Sequence, residues 1–169
     1  MNLSRSQIPG IAKAIIDALA SNGQIEVSSR HDAAIDLEAV LETYVDQERE
    51  ISERARDLVQ ARGLPTGEYS RIRRIAAEQR GIKVGDEALD YVLDQLVEML
   101  MHSSHVDEVY AQDHELRRAM RTFIMDSAQE EQKLEAEVRA KLKHVEEGSR
   151  VWEIEYRRMM EDIKRRRGS

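Results

Sequence analysis

Residues 86–124 constrain the fold more than any other stretch, because two apolar series at helical spacing stand back to back in them. Leu89, Val92, Leu93, Leu96 and Leu100 recur at intervals of three and four. Val106, Val109, Leu116, Met120 and Phe123 follow in a second run. Each series puts its apolar groups on one side of an α-helix. Ser103 and Ser104 lie between them, and Asp107 follows Ser104 by three. That spacing suits a capped restart, with a serine oxygen on an orphan amide and an acid near the positive helix end. The expectation is a helical hairpin.

The same spacing runs through the rest of the chain. Ile11, Ile15, Ile16 and Leu19 predict a short amphipathic helix over residues 8–20, with Pro9 tolerated in its first turn. Asn22 and Gly23 suit its stop. Residues 24–27 alternate as a brief strand does, and Ser28 and Ser29 can cap the next helix. That helix runs over 30–62 uninterrupted by Gly or Pro, but its apolar stripe thins at 46–50, where a bend or break is expected. Residues 63–67, GLPTG, read as a loop. A helix over 69–79 follows, with Ile72, Ile75 and Ala76 inward; Gly81 stops it, and residues 82–84 alternate. The segments ASNGQIEV and AEQRGIKV stand in the same relation to what surrounds them. They suggest an internal duplication with units of about 1–63 and 68–126, whose two short strands can pair as a ribbon lying against helices. The fold class expected is therefore all-α, with a duplicated body over 1–126 and a helical extension over 127–169.

In that extension Val138, Leu142, Val145, Ser149, Trp152, Tyr156, Met159 and Ile163 alternate in steps of four and three, a coiled-coil-like seam. Gly148 and Ser149 interrupt it. A hairpin, with Gly148 closing one helix and Ser149 capping the next, and one continuous helix are both open on these residues.

Composition narrows the chemistry. Aromatics make up 4% of the chain and there is no Cys, which excludes disulfides, thiolate nucleophiles and Cys-bound metal. No unbroken apolar run reaches membrane-spanning length, and residues 11–20 lack the apolar core of a secretory signal, so a cytoplasmic protein is expected. Residues 127–169 carry 11 basic and 10 acidic side chains, the other residues 15 and 23. An acidic body repels nucleic acid.

Three stretches, IEVSSRHDAAIDLEAVLETYV, RGIKVGDEALDYVLDQLVEMLMHSSHVDEVYAQDHELRRAM and VRAKLKHVEEGSRVWEIEYRRMMEDIKRRRG, resemble a bacterial family known as domain of unknown function 507. The resemblance covers most of the chain. It implies a small, soluble, helix-rich bacterial protein, and it carries no reaction, cofactor or catalytic residue with it.

Three groups of residues are candidates for function. His102, His105 and His114 stand among Glu98, Asp107, Glu108 and Asp113, and imidazole with carboxylate suits zinc or iron. A diiron bundle needs two Glu-x-x-His pairs, which this region lacks, so solvated histidines beside a turn are the stronger reading. Asp113 occupies a position where the stripe calls for an apolar residue. A structural ion pair with an arginine such as Arg71, Arg73, Arg74 or Arg117 accounts for it better than an acid–base role. Finally, Arg157, Arg158, Lys164, Arg165, Arg166 and Arg167 form a basic helix face suited to nucleic-acid phosphate, an acidic partner or the negative end of their own helix. The expected function is a non-enzymatic interaction protein without cofactor or small-molecule substrate. Its partner would be another protein or a second copy at the seam Val138, Leu142, Val145, Trp152, Tyr156, Met159 and Ile163. Nucleic-acid or ribosome association through the tail is the alternative.

Overall fold

The computed structural model describes residues 1–167. Among these are six α-helices and one two-stranded antiparallel ribbon: α1 (Ile8–Ser21), β1 (Ile25–Val27), α2 (Arg30–Ala61), α3 (Tyr69–Gln79), α4 (Ala88–His102), β2 (Val106–Val109), α5 (Asp113–Lys141) and α6 (Arg150–Arg166). The chain divides into two compact units, Leu3–Ser127 with Met1, and Ala128–Ser169 with Asn2. The protein is mostly all-α, and no helix among the described residues is long and apolar enough to cross a membrane.

In the first unit α1 buries Ile8, Ile11, Ala12, Ile15, Ile16 and Leu19, the side that its sequence spacing marks. It ends in a glycine turn: Gly23 takes φ +72°, and Gln24 N–H donates to the Leu19 carbonyl at 2.9 Å. Ser29 caps α2, accepting from Asp32 N–H at 3.1 Å. The first half of α2 buries Ala33, Ala34, Leu37, Leu41 and Tyr44; the second half buries Ile51, Ala55 and Val59, where α3 packs on it.

The expected bend at 46–50 is absent, and α2 runs unbroken. Three of the acidic residues where its stripe thins face arginines from other segments. Asp46 takes Arg5 at 3.0 Å, Glu48 faces Arg73 at 3.8 Å, and Glu50 takes Arg80 at 2.6 Å. With no Gly or Pro in the segment, nothing interrupts the backbone ladder.

Two further expectations are corrected. Val106 and Val109 do not belong to the helix of Leu116, Met120 and Phe123. They form β2, and α5 starts only at Asp113. A spacing of three puts two valines on one side of a helix but on opposite faces of a regular strand, so the sequence favours the helix; pairing with β1 decides otherwise. Ile25 lies opposite Val109, Glu26 opposite Glu108 and Val27 opposite Val106, so Asp107 is the extra residue of a bulge. Consequently the ribbon partner of β1 is not residues 82–84. Ile82 instead enters the core at 3% exposure. The Lys83 carbonyl accepts the Tyr44 hydroxyl at 2.9 Å, which takes it out of any ladder. Burial, followed by the charge of Glu48, pushes that hydroxyl far above the usual phenol range.

The hairpin expected for residues 86–124 folds back all the same. Arg121 on α5 reaches Asp90 on α4 at 2.5 Å, and Arg117 reaches Asp94 one turn further along, an antiparallel correspondence. Val92, Leu93, Leu96 and Leu100 of α4 are buried, as are Leu116, Met120 and Ile124 of α5.

The second unit is a helical hairpin. The helix α5 ends at Lys141, Gly148 takes φ +85°, and Ser149 caps α6 by accepting from Trp152 N–H at 3.2 Å. Leu134, Val138, Leu142 and Met160 form its core, with Trp152, Tyr156, Met159 and Ile163 packed against it.

Candidate functional site

The cluster that resembles catalytic machinery most closely is Asp36, Ser103 and His105. Ser103 leaves the end of α4 in extended conformation, and its hydroxyl donates to Asp36 Oδ2 at 2.5 Å while accepting His105 N–H at 3.1 Å. His105 Nδ1 donates to the same Oδ2 at 2.8 Å. The shared imidazole bond, then the serine bond, hold Asp36 below the usual carboxylate range, and Asp36 holds His105 above the usual imidazole range. Serine and histidine thus both spend a donor on one carboxylate, and the serine has no base to activate it. The geometry is a clamp: it ties α2 to the chain entering β2, next to the Ser28 N–H bond to the His105 carbonyl at 3.2 Å. The capped helix restart expected at Ser104 is corrected: β2 follows the serines, and α5 starts only at Asp113.

The histidines named as metal candidates are sent apart. His102 donates Nδ1 to the Glu98 carbonyl at 2.9 Å, while His105 faces Asp36 and His114 lies exposed on α5. No group of three or more His, Cys, Asp or Glu converges among the described residues. Asp113 is the first residue of α5 and stands in solvent outside the apolar stripe. It accepts Arg117 Nε at 2.8 Å, one of the four arginines suggested for it.

The seam residues Val138 and Leu142 are 0% and 2% exposed inside the α5–α6 hairpin. Trp152 and Tyr156 stack with ring centroids 4.8 Å apart, and Val145 is half-buried in the connection. The tail is largely tied down within the same unit. Lys164 reaches Glu131 at 3.0 Å, Arg167 reaches Glu137 at 2.9 Å, Arg158 reaches Glu155 at 3.3 Å, and Arg165 bonds Asp162. Among the described residues Arg157 and Arg166 have no ion-pair partner.

A surface that the sequence reading passed over lies between α2 and α3. Ile51, Ala55 and Val59 form the buried stripe of the second half of α2, and Ala76 and Ala77 of α3 let the two helices approach closely. Beside that stripe runs another, Arg54, Leu58 and Arg62, at intervals of four. Across from it α3 presents Arg71, Ile72 and Ile75. Together they line an open groove of about 290 Å³. Ile75 is 40% exposed, and Leu58, Ile72 and Leu64 are half-buried. Arg71 bonds Glu68 at 2.6 Å on its own helical turn, whereas Arg54 and Arg62 have no ion-pair partner among the described residues. The signal was available in the sequence. Residues 49–80 hold eight Arg and no Lys against five acidic residues, within a body otherwise dominated by acids.

The fold and this surface define a class: a helical protein with an aliphatic groove rimmed by guanidinium groups. The chain belongs to the family described as "Protein of unknown function (DUF507)", which matches residues 1–169. No curated protein matches it.

Proposed function

We propose that the chain is a non-enzymatic interaction module whose partner surface is the α2–α3 groove. One observation carries this: four aliphatic side chains and three arginines meet solvent in a single groove, with two of the arginines uncompensated. Scattered exposed aliphatics are ordinary on a protein surface, but aliphatic side chains gathered with arginines in one groove have the mixed composition of a non-obligate binding surface. The Asp36 clamp supports the non-enzymatic half, since its serine and histidine are both committed to structure. The burial of Val138 and Leu142 within their own hairpin supports choosing the groove over the seam as the partner surface. The carboxylates on Lys164, Arg165 and Arg167 likewise favour a protein partner over nucleic acid bound at the tail. A cytoplasmic setting fits the absence of Cys and belongs to the same proposal.

Immobilised full-length protein and its Ile75→Glu variant, exposed side by side to native extract, test this reading. The expected outcome is a protein retained by the first and lost from the second, at equal thermal stability. Equal retention by both removes the groove from the proposal.

A further inference from the structure

We infer that the α2–α3 groove takes an acidic amphipathic helix, a partner segment with aliphatic side chains on one face and carboxylates along its edges. The inference rests on the groove being the partner surface, and adds what fills it.

Both walls are helical stripes, and a furrow between two antiparallel helices is the shape that a third helix fills ridge into groove. Arg54 and Leu58 of α2 and its C-cap Arg62 stand at intervals of four, about 12 Å of rise in all, or roughly two helical turns. A partner helix therefore engages with two or three aliphatic positions at intervals of three and four. Those side chains fall on Leu58, Ile72 and Ile75 at the centre. Arg54 and Arg62 stand eight residues apart, so carboxylates beside the partner's apolar face meet a guanidinium at each end, while Arg71 on the opposite wall is held by Glu68. Guanidinium groups pair carboxylates two bonds at a time, which sets register as well as attraction. Phosphate alone would leave the aliphatic floor unused. A nucleic-acid strand wants exposed aromatic platforms, and the neighbouring Tyr69 ring carries Arg56 at 5.9 Å. The long-range field agrees: outside residues 49–80 the first unit is strongly acidic, so an acidic segment is steered to this groove and repelled elsewhere.

The test uses the full chain and a fluorescein-labelled synthetic helix of about fourteen residues, with Leu at helical spacing and Glu beside it. Fluorescence anisotropy is expected to show binding that weakens several-fold between about 50 and about 300 mM NaCl. Arg54→Glu with Arg62→Glu should weaken it at least about tenfold, Arg54→Gln with Arg62→Gln less, and Ile75→Glu should also weaken it. The same helix with Lys for Glu should not bind. Among the described residues Arg54 and Arg62 have no ion-pair partner, so both double variants should melt like the parent. Four results overturn the inference: no binding of the Glu–Leu helix; equal binding of a Glu helix lacking Leu; preferential binding of a single-stranded RNA oligonucleotide, abolished by the same variants; or a dimer in sedimentation that Arg54→Glu with Arg62→Glu dissociates. A protein held from extract through Ile75 while the Glu–Leu helix is ignored condemns the partner chemistry alone. Loss of groove-dependent retention condemns the module reading itself.

Discussion

Replacing Gly148 by Ala separates the hairpin from a straight terminal helix by the sign of its effect. Gly148 has φ +85°, and a Cβ built there meets no atom within 4 Å, so the cost is purely that of the backbone. An L-residue in the left-handed region costs about 1–2 kcal/mol. The stiffer unfolded chain returns about 0.4–1 kcal/mol, leaving a net loss of about 1 kcal/mol. In a continuous helix the same substitution would stabilise by about 1 kcal/mol. Urea unfolding of the full chain, followed by fluorescence of Trp152, reads this directly, because the chain's single Trp stacks on Tyr156 in α6. With a slope of roughly 1 kcal/mol/M for so small a unit, the midpoint should fall by about 1 M. A rise would refute the hairpin and the φ argument with it.

Lys164→Ala strands the Glu131 carboxylate, itself only 5% exposed, and should cost about 2 kcal/mol in the same unfolding assay. Combining Lys164→Met with Glu131→Leu should recover most of it, and an unchanged midpoint in Lys164→Ala would mean that this cation is not structural. Tyr44→Phe leaves the Lys83 carbonyl without its hydroxyl donor and should cost about 1–2 kcal/mol in a thermal melt followed by circular dichroism; a neutral outcome would show that the bond contributes nothing. The Asp36 clamp makes the ribbon pH-sensitive. His105 is raised above its ordinary 6.5, so its contribution is complete below that value and is lost as pH rises through the raised one. Asp36 is lowered from 3.8, so its contribution is complete above that value and is lost as pH falls through the lowered one. Protection of the β1–β2 amides should therefore be greatest between these limits. An NMR titration should show His105 moving back toward 6.5 in Asp36→Asn, and no movement would sever the clamp from the pH response.

The parts of the fold legible in sequence are those whose signal is local. The spacing of Ile8 to Leu19, the glycines at 23 and 81, and the cap at Ser29 each specify a helix or its end through bonds made within a few residues. The Val106–Val109 segment was misread because its spacing favours a helix, and its partner lies some eighty residues away. The groove was missed for a different reason. Arg54, Leu58 and Arg62 look like one side of a solvated helix, and Ile72 and Ile75 like the core side of another. Only the rotation of α3 about Ala76 and Ala77 brings the two together and leaves Ile75 open.

Sequence by itself determined that this chain is helical, where most of its helices begin and end, and that its chemistry excludes thiols. Those properties follow from backbone propensity, capping and composition, which act over a turn or two. Tertiary structure alone decided the strand pairing, the fold-back at Gly148 and the gathering of three arginines around an aliphatic furrow. Each of these depends on which faces meet across long stretches of chain. That choice is made by burial and charge pairing summed over the whole unit, and no window of neighbouring residues contains it.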